Sequence, residues 1–250
     1  LLETSIAITI SIPLVVFELK NWFDENTNLA EALNQIGHYT KDIPQLFEYN
    51  MFTIISDGNQ AQHGMFNAKS EWYAAWKSAN GDTIEDDDFQ MHTLIFGMFP
   101  KERILNYIKN FIFFEDHNGT LIKKGAKYHQ YFGVNLAVEA AKKAIKPYGD
   151  GRIGVIWHTQ GSGKSLTMVW LTKWIREFND NARVLIITDR EELDEQIEKV
   201  YKGIQEDIYR TKSGKDLLHQ LNDTSPWLMC SLIHKFGGKD KGEEATDEDV

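Results

Sequence analysis

The sequence predicts an α/β protein made of two parts in series, and three observations carry that expectation. Residues 13–20 (PLVVFELK) form a buried-type strand ending in two charged residues, followed by a helical pattern and a second strand. Residues 152–178 (RIGVIWHTQGSGKSLTMVWLTKWIREF) pass from a short apolar β-type segment through a glycine-broken turn into an apolar-rich helix. Residues 183–188 (RVLIIT) are a near-continuous apolar run of the kind a parallel sheet buries on both faces, and the apolar run 227–233 is a third strand candidate. Strand, loop, helix, strand, helix, strand is the opening of a doubly wound domain.

Composition bounds the possibilities. With 250 residues and 42% hydrophobic side chains the chain can bury a substantial core. A formal charge of −10 argues against a generally basic coat for nucleic acid, although a local basic groove is compatible with an acidic total. The single cysteine, Cys230, excludes an internal disulfide framework and a multi-cysteine zinc site, and fits a reducing compartment. It lies in an apolar run, where core packing is its expected role. HExxH, CxxC and GxSxG are absent, which leaves zinc-protease, thiol-redox and serine-hydrolase chemistry without residues. The opening residues are apolar, but they lack a basic n-region, carry Glu3, are broken by Pro13 and are too short for a span. Two β-strands are therefore expected there, not a signal peptide or a membrane helix. With no initiator methionine, residue 1 is not expected to be a native start.

In a strand, residues i and i+2 share a face, so Glu18 and Lys20 project together while Leu19 points away. A carboxylate that can hold Mg²⁺ beside a lysine that can position the attacking water is half of a metal-dependent nuclease constellation. Residues 27–40 begin with cap-type residues and carry Leu29, Leu33 and Ile36 at helical spacing, which predicts a helix stopped by Lys41-Asp42-Ile43-Pro44. Gln35 and Tyr39 are four apart and share a face of that helix. Residues 49–58 predict another strand closed by a Ser-Asp-Gly turn. Residues 60–81 are polar and aromatic, and the acidic run 85–88 predicts a solvated boundary loop. Residues 89–114 predict two short helices around Gly97 and Pro100, packing between domains, with Pro100 at the first position of the second. KYHQY at residues 127–131 leads into an amphipathic helix that ends before Pro147. Gln130 in this segment carries a side-chain amide able to pair with an adenine edge.

The central stretch has the order a phosphate-binding loop requires. Gly161 and Gly163 let backbone N–H groups turn inward around phosphate oxygens, Lys164 reaches the outer phosphates, and the Ser165 hydroxyl can ligate Mg²⁺. The pattern GxxxxGK[ST] places a glycine where this chain has His158, followed by Thr159, and Ser162 stands between the two glycines. Beyond it, Asp189 is expected to cap a helix that carries Glu191 and Glu192 in its first turn. The charged tail, residues 237–250, is expected to be disordered.

Taken in order, ExK, QxxxY, SDG, KYHQY, WHTQGSGKS, TDREELDEQ and SLIHKF resemble the restriction (R) subunit of type I restriction-modification enzymes over nearly the whole chain. The resemblance implies an α/β fold with two components. The C-terminal part of a PD-(D/E)xK-type nuclease core is followed by the first half of a RecA-like P-loop ATPase domain of the superfamily 2 helicase type. It implies a nuclease part over 1–80, a helical linker over 81–127 and a motor part over 128–250. Glu18 would be a metal-binding carboxylate, Lys20 the catalytic lysine, and Gln35 and Tyr39 supports for the site or for DNA beside it. Gln130 would read adenine, residues His158, Thr159, Gly161, Ser162, Gly163, Lys164 and Ser165 would hold ATP with Mg²⁺, and Asp189-Arg190 would open a motif facing DNA.

The implied activity is ATP-driven translocation of double-stranded DNA with Mg²⁺-dependent cleavage, in a bacterial or archaeal cytoplasm, away from membranes. The implied companions are methyltransferase and specificity subunits, the latter holding the DNA recognition sequence. The family's upstream aspartate and its DEAH-type carboxylate pair have no counterpart in these residues, and His234 stands where glutamine is commoner. The expectation is thus a fragment with little ATPase or nuclease activity by itself. Two other readings remain open: a stand-alone superfamily 2 helicase-nuclease, and a nucleotide-binding interaction module with a vestigial nuclease.

Overall fold

The computed structural model describes residues 13–21, 28–85, 89–117 and 119–236. The strand expected before Pro13, part of the acidic run at 86–88 and the tail from 237 lie outside the described residues. The chain divides into two compact units, Leu1–Phe114 with Thr120–Leu136, and Glu115–Gly119 with Ala137–Val250.

In the first unit, β1 (Val15–Leu19) and α1 (Leu29–Asp42) lead to β2 (Phe52–Ser56), which pairs parallel with β1 in the register Val16↔Thr53 and Glu18↔Ile55. The Asn28 side chain caps α1 by accepting from Glu31 N at 3.1 Å, and Lys41 sits in the last turn, where a cation suits the helix dipole. This helix buries Ala32 and Ile36 against Val16, Ile55, Phe47 and Tyr73. β2 is buried at every position because it is the central strand, with β3 (Ala61–Gly64) antiparallel on its other side. The polar and aromatic residues 60–81 supply this sheet strand and a short 3₁₀ turn, Ser70–Trp72. The expected Ser-Asp-Gly turn closes β2, with Gly58 at φ 99°, a conformation that favours glycine.

Phe17 and Phe52 both meet Phe99, at ring-centroid distances of 5.6 and 6.1 Å. Phe99 joins α2 (Gln90–Met98) to α3 (Lys101–Asn110), with Pro100 just ahead of α3 as its N-cap. Trp76, Tyr107 and Tyr131 continue this aromatic core. Gly97 is required by close approach, since a Cβ there would lie 2.3 Å from Trp76 Nε1. Helix does not continue through the end of residues 89–114: β4 (Ile112–His117) begins there and pairs with β5 (Thr120–Gly125). α4 (Tyr128–Ala144) takes in most of KYHQY as its first turn.

The second unit contains α5 (Lys164–Phe178), β6 (Val184–Thr188), α6 (Glu191–Gly203), β7 (Tyr209–Arg210), α7 (Gly214–Asn222) and β8 (Leu228–Leu232). Its sheet is parallel in the order β6-β8-β7. The central strand is β8, buried throughout, while β6 pairs only with β8 among the described strands and leaves Ile187 49% exposed. The expectation that residues 183–188 are buried on both faces therefore fails, because that burial belongs to the strand with neighbours on both sides.

The strand expected just before the phosphate loop also does not form. Residues 152–157 have no regular structure, and Val155 and Trp157 are 91% and 88% exposed. No described strand pairs with this segment, and an extended run without a ladder partner gains neither hydrogen bonds nor burial from β structure. No described helix is long and apolar enough to cross a membrane.

Candidate functional site

The first candidate site stands at the C-terminal end of the parallel β1–β2 pair. Strand alternation places Val16, Glu18 and Lys20 on one face, and the parallel register sets Val16 beside Thr53 and Glu18 beside Ile55. Glu18 is only 7% exposed, and its Oε1 lies 3.0 Å from Lys20 Nζ. A carboxylate this buried requires a cationic partner, and Lys20 provides one. α1 packs over the same face through Ala32 and Ile36, with Tyr39 against that apolar cluster and Gln35 half-buried. The sequence-expected quartet thus falls on one sheet face and the helix that covers it.

Mg²⁺ takes oxygen ligands and commonly combines one or two carboxylates with waters and substrate phosphate. Glu18 fits as one such ligand. Among the described residues no group of three His, Cys, Asp or Glu side chains is placed to hold a metal ion.

The second candidate site is the loop before α5. Gly161 and Gly163 have φ of 77° and 83°, which turns the backbone in the manner a phosphate cradle needs. A Cβ at Gly161 would meet nothing within 4 Å, so conformation and not space selects glycine there. Lys164 Nζ donates to the carbonyl oxygens of His158 at 3.1 Å and Thr159 at 2.9 Å. Ser162 Oγ donates to Thr159 O at 2.8 Å, which closes the turn on itself. The lysine ammonium is folded over the loop it follows, and phosphate oxygens could take the place of both carbonyls. Ser165 is half-buried in the first turn of α5, at the positive end of the helix dipole. The donor set and backbone fit a nucleotide triphosphate.

Gln130 belongs to the first unit and is 3% exposed. Its Oε1 accepts from Lys127 N at 2.8 Å, tying down the start of α4. Asp189 does not cap α6: the N-cap is Arg190, without a side-chain bond, and the Asp189 carboxylate lies 3.7 Å from Arg190 Nε. The anchoring acid is one turn further on. Asp194 is fully buried, accepts from Arg210 Nε at 2.5 Å and approaches Thr188 Oγ1 at 3.5 Å. Sequence reasoning passed over this pair because the two residues are 16 apart; the one local signal was an acid on the apolar face of an amphipathic helix. Burial and neighbouring acids push the Cys230 thiol up to about 12, so this cysteine is a core residue.

Comparison with known proteins defines the class first. Residues 129–250 match the family model of SWI2/SNF2 ATPases, which marks the second half as a helicase-like ATPase part. Residues 6–72 match the N terminus of the type I restriction enzyme R protein. The chain is 40% identical over 217 residues to the type I restriction enzyme HindI endonuclease subunit of Haemophilus influenzae, covering 84% of this chain and 19% of that protein. It is 30% identical over 255 residues to the putative type I restriction enzyme MjaIXP endonuclease subunit of Methanocaldococcus jannaschii, covering 93% of this chain and 24% of that protein. A Staphylococcus aureus type I restriction enzyme endonuclease subunit is 26% identical over 236 residues, 90% of this chain and 23% of that protein. The chain therefore belongs to the R-subunit family of type I restriction enzymes, and it spans about a fifth to a quarter of the length of these relatives.

Proposed function

We propose that this chain is the part of a type I restriction R subunit in which a PD-(D/E)xK-type nuclease core leads into the first motor domain. In this reading residues 1–80 belong to the nuclease, 81–127 to a helical linker and 128–250 to the RecA-like motor. The whole protein hydrolyses ATP to translocate duplex DNA and cleaves it by Mg²⁺-dependent phosphodiester hydrolysis. It works with methyltransferase and specificity subunits in the cytoplasm of a bacterium or archaeon. The observation that carries the reading is the buried Glu18 carboxylate 3.0 Å from Lys20 Nζ, in a chain that also bears the Gly161–Ser165 loop.

A bound Mg²⁺ supplies positive charge to a phosphoryl oxygen and lowers the pKa of water. Glu18 would hold it, and the Lys20 ammonium would orient the attacking water and offset charge on the phosphate. Gln35 and Tyr39 would brace these groups or the DNA from α1. At the loop, Lys164 would exchange its two backbone carbonyls for phosphate oxygens, Ser165 would present its hydroxyl to Mg²⁺, and Gly161, Ser162 and Gly163 would wrap the phosphates together with His158 and Thr159. Gln130 would offer its amide to adenine, and Asp189-Arg190 would face the DNA. The 250-residue chain alone is expected to turn over ATP and DNA weakly, since the family's upstream aspartate and DEAH-type carboxylate pair have no counterpart in its residues.

The test uses the full-length protein with its methyltransferase and specificity partners. Lys20→Ala is expected to abolish cleavage while ATP-driven translocation continues, and Lys164→Ala to abolish both. Undiminished cleavage by Lys20→Ala would overturn the nuclease assignment, and undiminished translocation by Lys164→Ala the motor assignment.

A further inference from the structure

The two charged residues of the ExK pair are anchored differently. Glu18 lies inside β1 and is paired with Ile55 in the ladder. Lys20 lies one residue past the end of the strand, and its backbone N–H donates to Ser56 O at 2.8 Å. Ser56 is in turn the hub of the Ser-Asp-Gly turn. Its side chain, with the residue 3% exposed, donates from Oγ to Gln60 O at 2.8 Å and accepts from Gly58 N at 3.1 Å. Asp57 Oδ1 accepts from Asn59 N at 3.1 Å and Gln60 N at 2.8 Å, which closes the same turn from outside. The start of α2 braces the far side: Gln90 N donates to Asn59 O at 3.1 Å, and Gln90 Oε1 accepts from Ala61 N at 3.2 Å.

We propose that Ser56 is a positioning residue for Lys20: the hydroxyl-locked turn fixes the carbonyl that holds the lysine backbone, and so sets the ammonium against Glu18. This rests on the nuclease reading given above. The division of labour makes a distinctive prediction. Loosening the turn moves Lys20 and leaves Glu18, with any metal it holds, in its ladder position. A displacement near one ångström at a catalytic group lowers turnover by one to two orders of magnitude.

The experiment compares Ser56→Ala, Ser56→Thr and Gly58→Ala with the unaltered full-length protein and its partners. It reads cleavage turnover, the Mg²⁺ concentration for half-maximal cleavage, and ATP-driven translocation. Ser56→Ala is expected to lower cleavage turnover about tenfold, with Mg²⁺ half-saturation and translocation unchanged. Ser56→Thr keeps the hydroxyl and restores turnover. Gly58→Ala strains the left-handed position of the same turn and reproduces the loss. Full turnover in Ser56→Ala, or a fall of turnover and translocation together with a rise in the half-saturating Mg²⁺ concentration, overturns the positioning role while Lys20→Ala remains dead. Full cleavage by Lys20→Ala overturns the nuclease reading itself, and this inference with it.

Discussion

Removing the carboxylate of Asp194 should loosen the parallel sheet of the second unit and leave the first untouched. Asp194 is 0% exposed, and its carboxylate accepts from Arg210 Nε at 2.5 Å. Its backbone N donates to Arg190 O at 3.2 Å, so the residue also closes the turn that carries Asp189 and Arg190. The Arg210 side chain is 27% exposed, with Glu191 and Glu195 at 3.5 and 3.7 Å on its outer side. Breaking a fully buried pair costs about 3–5 kcal/mol. Here the arginine can rehydrate and keep its outer carboxylates, so Asp194→Ala should cost about 2–3 kcal/mol, the range of one charge-assisted hydrogen bond.

Native-state hydrogen exchange separates the two units. The protected amides of β7 and β8 should lose about that much opening free energy, and those of β1 and β2 nearly none. Arg210→Met combined with Asp194→Ala should cost less than the two single changes summed, because neither charge is then stranded. A loss under about 0.5 kcal/mol at β8 would match an ordinary surface change and refute the anchoring argument.

Three further outcomes follow from side chains buried in one unit or the other. Trp76 is 1% exposed and meets His63, Tyr107, Tyr131 and Phe132, so Trp76→Ala should destabilise the first unit by about 3–5 kcal/mol, read as lost exchange protection in β2 and β3. The Cys230 thiol, raised to about 12, should react with a disulfide reagent at pH 8 only on the timescale of opening, and denaturant should make it fast. Since its folded pKa lies above its unfolded one, the stability it contributes is complete below the ordinary thiol range. That contribution falls by about 1.4 kcal/mol per pH unit above it, a slope that Cys230→Ser should remove. Burial holds His63 below its ordinary value of 6.5, with Nδ1 2.8 Å from Ala74 O and Nε2 3.1 Å from Ala126 O. A base with a depressed folded pKa contributes stability above its unfolded pKa and loses it in acid, so the first unit should weaken as pH falls below 6.5. Stability that held constant or rose between pH 6.5 and 5 would show that the imidazole stays charged in the fold.

Short-range chemistry was legible in the sequence. The strand ending at Leu19, the helix capped at Asn28, the Ser-Asp-Gly turn and the helix opening at Lys164 each depend on residues within a few positions of one another. So does the meeting of Glu18 with Lys20, because the two-residue period of a strand puts them on one face. What the sequence left out depends on neighbours distant in the chain. Residues 183–188 look like a central strand by composition, yet β8 takes the centre of the sheet. Residues 152–157 look like a strand as well, and without a paired edge they remain exposed coil. Asp189 has the right chemistry for a cap, but the carboxylate that secures this turn is Asp194, because Arg210 comes to meet it from β7.

The sequence by itself determined which side chains are available at the two candidate sites and which of them share a face, since local geometry needs only the backbone period. Tertiary structure alone decided how firmly each is held. Glu18 is buried by α1 closing over its sheet face, and Lys20 is tied through Ser56 to a turn more than thirty residues away. Burial and long-range hydrogen bonds are properties of the assembled sheet, and no local pattern encodes which strand will lie beside which.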